Sequence, residues 1–294
     1  MIEKDFPNYF QASDNASKRA QSNYINIIRV DLVSMIIASA ISIYNYQQVE
    51  SKLTVYVISG ILLLSSLILT IILKAKQFED TWYQGRALAE SCKTLTWRFV
   101  TCSEYFEEDL TEIEVKHRFI NRIKNLADEF KDLTKIMNAQ TLNLPIVTEK
   151  MIELRKLEMF ERKENYIHNR VENQKKWYSN KAKFNKSKYN FWFGIIIASQ
   201  AVALISVIFL IKFPNNNYNF IGLFTTVASS AISWLQLKQH QELKQAYTTA
   251  TQELNFIVEL SAEVNTSDEL SKFVLDSENA ISREHTLWLA QRRK

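Results

Sequence analysis

The chain has 294 residues, a formal net charge of +4 and only four glycines and three prolines. β-Sandwiches and barrels need a turn every few residues, so this shortage of turn residues argues against them and predicts long helices. The closest two glycines, Gly60 and Gly85, stand 25 residues apart, which excludes the glycine-rich loops that cradle nucleotide phosphates.

The first predicted elements form a hairpin through a membrane. Segments 27–46 and 53–73 are apolar and about 20 residues long, enough to cross the hydrocarbon core of a bilayer. Their only charges are Arg29 and Asp31, which either reach the membrane interface or form a charged pore mouth. Because a polar stretch precedes the first segment, we interpret it as a retained span and not as a signal peptide.

Cytoplasmic helices follow this hairpin. We expect the second span to continue without a break to about residue 106 as a stalk, with Gly85 as its flexible joint. The pair Thr111 and Glu114 is a capping box and predicts the start of the next helix. Apolar residues recur at alternating four- and three-residue spacing, a pattern that fits both a bundle within one chain and a coiled-coil seam between chains. They are Leu88, Cys92, Leu95, Phe99, Cys102 and Phe106, and then Phe119, Ile123, Leu126, Phe130, Leu133 and Met137.

Pro145 marks the predicted boundary between two similar units, 1–145 and 146–294. The cytoplasmic helices of the first unit end near residue 140. The second unit has apolar segments 189–211 and 218–237, followed by C-terminal helices, one of which starts at a capping box formed by Thr266 and Glu269. Fifteen Lys and Arg residues flank the outer ends of the four spans, and two lie in the hairpin turns. This asymmetry predicts cytoplasmic N and C termini. The expected fold is therefore all-α: two transmembrane hairpins with a long cytoplasmic helical stalk or bundle.

The fourth span has small and polar residues along one face. Such a face packs within a hairpin, contacts another copy of the chain, or lines a pore. Its members, at alternating four- and three-residue spacing, are Gly222, Thr226, Ser229, Ser233 and Gln236.

A basic run precedes the third span. Interleaved basic and aromatic residues also occur in nucleic-acid-binding proteins. Here the position beside a span favours anionic lipid over docking of a protein partner, and we expect no nucleic-acid partner. The basic residues are Lys175, Lys176, Lys181, Lys183, Lys186 and Lys188.

Catalytic chemistry is not expected. The four histidines are far apart in the chain, and Cys92 and Cys102 do not form a CxxC pair. No nucleophile and base stand in a recognisable arrangement. We therefore expect no enzyme activity, no cofactor and no metal site.

Scattered motif residues add a family resemblance. They precede and follow each pair of spans: Asp14, Ser17, Gln21 and Tyr24; Trp82, Arg86, Glu90, Lys93, Trp97 and Arg98; Tyr166, Arg170, Gln174, Trp177, Tyr178, Lys181, Ala182 and Lys186; Glu278, Arg283, Glu284, His285 and Trp288. This set resembles bacterial SLATT proteins, two-span effector domains that associate with nucleotide-signalling modules. The resemblance covers nearly the whole chain and fits the variety with two fused units.

The resemblance implies a membrane effector of the bacterial inner membrane that oligomerises and permeabilises the membrane in anti-phage defence or cell suicide. We find no such sensor domain in the chain, so the trigger would be a cytosolic protein partner, a small nucleotide-type ligand, or the stalk itself. The charges that match the family pattern would form ion pairs between the halves, either as a static stalk clasp or as gating contacts: Glu90, Lys93, Arg98, Glu278, Arg283 and Glu284. A homo-oligomeric pore is the leading expectation. The alternative is a membrane-anchored scaffold whose stalk docks a cytosolic partner.

Overall fold

The computed structural model describes residues 1–292, with side chains up to residue 282, and this part of the chain is helical. The helices up to residue 142 are α1 (Asn8–Ile41), α2 (Val49–Lys76), α3 (Phe78–Val100), α4 (Glu112–Glu129), α5 (Lys131–Thr134) and α6 (Ala139–Leu142). The later helices are α7 (Glu149–Arg155), α8 (Met159–Tyr166), α9 (Asn173–Lys212), α10 (Ile221–Lys238), α11 (His240–Leu260) and α12 (Ser267–Arg292). A π-helical segment, Ile167–Glu172, joins α8 to α9.

The chain divides into two compact units. The bundle unit contains residues 1–21, 79–182 and 245–294, and the span unit contains residues 22–78 and 183–244. Each unit draws on both halves of the sequence, and α1 and α9 each contribute to both units.

Three helical stretches of the described chain are long and apolar enough to cross a membrane: Asn8–Ile41, Val49–Val100 and Met159–Lys212. They contain three of the four predicted spans. The fourth predicted span coincides with α10, which lies outside this set. A fourth crossing therefore stays a prediction.

The first predicted span is too long at its C-terminal end, because α1 stops at Ile41 and not at residue 46. The residues that follow pair with the loop before α10. The Asn45 amide donates to the Asn217 carbonyl at 2.7 Å, and the Asn219 amide donates to the Ile43 carbonyl at 2.8 Å. The two hairpin turns are thus joined within one chain, and this pairing replaces the last helical turn.

The core of the bundle unit decides between the two readings of the heptad-like pattern. Leu88, Cys92 and Phe99 of α3 are fully buried, as are Phe119 and Ile123 of α4. Their partners belong to the same chain, since the rings of Phe99 and Phe119 lie 5.0 Å apart. The pattern is therefore bundle packing within one chain. Both predicted capping boxes are also confirmed.

The expected unbroken helix from residue 53 to residue 106 is wrong. Gln77 has a φ of 45° and separates α2 from α3, and Gln239 has a φ of 48° and separates α10 from α11. A left-handed residue ends the run of i to i−4 hydrogen bonds, and it costs any residue with a Cβ about 1–2 kcal/mol. Both breaks lie close to the boundary between the two units in the chain.

Gly85 is not the joint we expected. It is buried in α3 where that helix crosses α1, and a Cβ at this position would lie 2.9 Å from the Ser13 carbonyl oxygen and 2.9 Å from Ser17 Cβ. The Ser17 hydroxyl donates to the Trp82 carbonyl at 2.9 Å in the same crossing. Gly85 therefore permits close packing and provides no flexibility.

We expect Gly85→Ala to destabilise the bundle unit by about 1–3 kcal/mol, because the helix backbones must separate. Denaturant unfolding of the detergent-solubilised chain, followed by tryptophan fluorescence, measures the change. Gly60→Ala is the matched control, since nothing lies within 4 Å of its added methyl group. Equal stability of the Gly85 variant and the wild type would contradict the close crossing.

We expect Gln77→Gly to leave stability unchanged or to raise it by about 1 kcal/mol, because glycine adopts positive φ without a steric penalty. Gln252→Gly, at an exposed position within α11, is expected to lower stability by about 1 kcal/mol. Thermal unfolding measures the change in stability of each variant. An equal loss at the two positions would mean that residue 77 is ordinary helix.

Candidate functional site

The predicted polar face of α10 divides into two parts. Gly222 and Thr226 lie beside α1, where the Thr226 hydroxyl donates to Ser39 Oγ at 3.3 Å. Ser229, Ser233 and Gln236 are exposed on the outside of the chain. The residues of α10 that are buried within the span unit are different ones: Ala228, Ser230 and Ala231.

A second polar side chain faces outward from an apolar helix. Gln200 lies near the centre of the third predicted span, is exposed, and makes no hydrogen bond with any described residue. An unpaired amide in hydrocarbon is costly, because lipid offers no hydrogen-bond partner. The outer surface of the span unit therefore has polar groups on both α9 and α10.

Arg29 and Asp31, the predicted pore mouth, do not contact each other. Arg29 donates to Asn26 at 3.2 Å, and its guanidinium lies 5.6 Å from the ring of Trp234. The Asp31 carboxylate accepts a short hydrogen bond from the Ser66 hydroxyl of α2. Both charges therefore bind within the span unit.

The predicted lipid-interface lysines lie on the first part of α9. Lys176, Lys181, Lys183, Lys186 and Lys188 are exposed, whereas Lys175 is half-buried and donates to Asn255 at 3.3 Å. The Lys188 ammonium lies 5.7 Å from the ring of Phe184 and 5.9 Å from the ring of Phe191. Exposed ammonium groups beside aromatic rings suit the interface of an anionic bilayer.

The most deeply buried charged group of the bundle unit is Glu278. Arg170 donates to it from Nε and from Nη2, both at 2.8 Å, and the two side chains are 2 % and 0 % exposed. The hydroxyls of Tyr166 and Thr94 complete the set at 3.0 and 2.8 Å. The carboxylate thus accepts four hydrogen bonds. These replace the hydration that it loses on burial, which allows its charge to be buried.

The other predicted clasp residues lie around this ion pair. Arg98 donates to Asn279 at 3.0 Å, and Arg86 lies 3.9 Å from Glu90. Lys93 lines a neighbouring cavity. The side chains of Arg283 and Glu284 lie outside the described residues.

Residue spacing did not predict the partners of Glu278. Tyr166, Arg170 and Thr94 hold this carboxylate, although the first two were noted only as family motif residues. One signal was present, because Tyr166 and Arg170 are four residues apart on one helix face. Pattern alone could not distinguish a buried arginine there from a solvated one.

A second polar cluster holds the loop between α3 and α4. Arg155 donates to the carbonyls of Phe99 and Phe106 at 3.0 and 2.7 Å. Arg162 binds Glu108 at 2.9 Å, and this hydrogen bond lowers the pKa of the Glu108 carboxyl. Burial raises the pKa of the Cys102 thiol, which is therefore not activated as a nucleophile. Among the described residues, no group of three or more His, Cys, Asp or Glu side chains is placed to hold a metal ion.

Comparison with protein families gives two matches in tandem. The family described as "SMODS and SLOG-associating 2TM effector domain 3" matches residues 7–163. The one described as "SMODS and SLOG-associating 2TM effector domain 1" matches residues 166–288. Searches of the curated proteins and of the solved structures found no match.

Removing one partner of the buried ion pair is expected to destabilise the bundle unit by about 3–5 kcal/mol, because the other charge stays buried. Arg170→Met and Glu278→Leu should each show this loss in denaturant unfolding, and the double variant should recover much of it. Glu112→Gln, which removes an exposed charge paired with Lys116, is the control and should change stability by less than about 1 kcal/mol. A loss in Arg170→Met no larger than that of the control would contradict this role.

Proposed function

This chain belongs to the SLATT family of two-transmembrane effector domains, as two fused units, and we propose that it acts as an oligomeric, pore-forming effector. Membership in this family implies a membrane effector role. The proposal adds that several copies assemble in the bacterial inner membrane and open a path for ions, in defence or cell suicide. A cytosolic partner or a nucleotide-type ligand triggers this opening.

One observation carries the proposal: three polar side chains of α10 point away from the rest of their own chain. Ser229, Ser233 and Gln236 are exposed, whereas Ala228, Ser230 and Ala231 are buried in the span unit. Polar residues on the outside are suited to a water-filled path bounded by several chains, because lipid leaves them unsatisfied.

The orientation of the proposed pore follows the distribution of basic residues. Cytoplasmic termini place Lys183, Lys186 and Lys188 at the inner leaflet, where anionic lipids attract them. The paired hairpin turns around Asn45 and Asn217 then lie on the outer side.

The alternative, a scaffold that docks a cytosolic partner, requires an exposed apolar seam on the cytoplasmic helices. The predicted seam positions Phe119 and Ile123 of α4 are buried. Other apolar residues are exposed, namely Ile113 and Ile120 of the same helix and Phe256 and Leu260 of α11. The scaffold therefore stays the second proposal, now with these exposed residues as its docking surface.

We expect Ser229→Leu combined with Ser233→Leu to reduce ion flux from liposomes by at least about tenfold, because apolar residues remove the polar lining. The matched control is Ser34→Leu combined with Thr70→Leu. It changes a half-buried hydroxyl residue on α1 and an exposed one on α2, and it makes a similar change in hydropathy. The control should conduct like the wild type.

Two results would contradict the pore. One is the absence of flux from the wild-type chain under every oligomeric and triggered condition. The other is an equal loss of flux in the α10 variant and in its control.

A further inference from the structure

The first part of α9 and most of α11 lie side by side in the bundle unit. The rings of Tyr178 and Tyr247 stack with their centroids 5.6 Å apart, and Lys175 donates to Asn255 at 3.3 Å. Later residues of α11 thus meet earlier residues of α9, so the two helices are antiparallel. Both helices line an open groove of about 490 Å³.

The outer surface of α11 beside this groove is poor in charge. Six residues between 245 and 256 are exposed, and none of them is charged: Gln245, Thr248, Thr249, Gln252, Asn255 and Phe256. The aromatic side chain of Phe256 is 69 % exposed and lines the groove. The cores of protein–protein interfaces are depleted of charge and enriched in aromatic residues. This composition therefore indicates a contact surface.

The two helices carry opposite charges at this surface. Within the bundle unit, α9 has three lysines and no acidic residue, whereas α11 has two glutamates and no basic residue. Lys176, Glu253 and Glu259 make no salt bridge or hydrogen bond with any described residue. Both signs of charge are therefore available to whatever covers the surface.

Symmetry in a membrane decides how two such surfaces would meet. Copies inserted in one membrane have the same orientation across it, so a two-fold axis between them is parallel to the membrane normal. That axis runs close to the direction of α9, which continues into the third predicted span. Two copies placed face to face then have α9 of each opposite α11 of the other, at the same height. Because Tyr178 lies beside Tyr247, Lys176 of one copy comes within about one helical turn of Glu253 of the other.

We propose that this α9–α11 face, residues 173–182 and 245–260, binds the same face of a second copy of the chain. Phe256 of each copy lies against the groove of the other, and Lys176 of each pairs with Glu253 of the other. An acidic partner protein would match the lysines but would repel the two glutamates, and a basic partner would do the reverse. A second copy supplies both signs in the required places.

This contact would hold the copies of the proposed pore together on the cytoplasmic side, and that role rests on the proposed function. A modest interface is sufficient there, because copies already joined through their spans meet at a high effective concentration. The face contributes no residue to the ion path. Contact and conduction can therefore be tested separately.

Cysteine cross-linking of the full chain in liposomes tests the contact. Asn180 and Gln245 are both exposed, and they lie at the same height on either side of the Tyr178–Tyr247 contact. Chains with Asn180→Cys are mixed with differently tagged chains with Gln245→Cys and treated with a short bismaleimide. We expect the mixed dimer to exceed either homotypic dimer by at least about fivefold, because the symmetry places α9 opposite α11 and not opposite itself. The native thiols Cys92 and Cys102 are buried.

Substitutions on the face, made in both chains of the mixture, sharpen the test. Phe256→Glu should lower the yield of mixed dimer by at least about tenfold, because it places a charge in the centre of the contact. Ile113→Glu is the matched control, since Ile113 is 82 % exposed on α4, outside the face, and should leave the yield unchanged.

An exchange of charges tests the predicted pairing. Lys176→Glu alone should lower the yield about two- to fivefold, and its combination with Glu253→Lys should restore it. A merely structural role of either side chain would give no such rescue.

Four results would overturn the proposal: no mixed dimer, mixed and homotypic dimers in equal yield, an equal loss for Phe256→Glu and Ile113→Glu, or no rescue by the charge exchange. A cytosolic protein that covers the face would give the first of them. Loss of flux with the cross-link retained would count against the pore alone. Loss of the cross-link with flux retained would count against this face alone.

Discussion

The buried carboxylate of Glu278 is the interaction on which the bundle unit depends. Its four donors come from positions 94, 166 and 170, so α12 must pack against α3 and the π-helical region in a single register. Any shift of these helices leaves a buried charge without partners, at a cost of several kcal/mol. The heptad-like apolar positions tolerate small slips far better. The ion pair therefore fixes the register of these helices. The apolar core around Phe99 provides most of the buried apolar surface.

The same ion pair leaves one buried donor over. Two donors of Arg170 bind Glu278 side by side, and this geometry leaves Nη1 buried without a partner among the described residues. Polar groups without partners in the described part of the chain thus occur in both units. In the span unit, polar side chains are exposed on α9 and α10, and Ser59 Oγ is buried without a partner. In the bundle unit, Trp97 Nε1 and Arg170 Nη1 are buried without a partner.

Much of the fold was predictable because it depends on local patterns. Helix content, the capping boxes at Thr111 and Thr266, and the apolar stretches within α2 and α9 all follow from neighbouring residues in the chain. The errors arose where distant segments compete with local preference. The two hairpin turns pair with each other, and this pairing ends α1 early. Gly85, the expected joint, is a packing residue because it lies in close contact with α1. The left-handed breaks at Gln77 and Gln239 had no local signal, since glutamine is a good helix former.

The sequence by itself determined an all-helical chain with membrane-spanning stretches and two units of one family, because hydropathy and residue spacing are properties of the local chain. Tertiary structure decided which side of each helix is covered. It showed that the heptad-like residues pack within one chain, that Ser229 and Ser233 remain outside, and that Arg170 is buried against Glu278. Spacing identifies a helix face but not its partner, since that partner can come from a distant segment, 184 residues away in the case of Thr94 and Glu278.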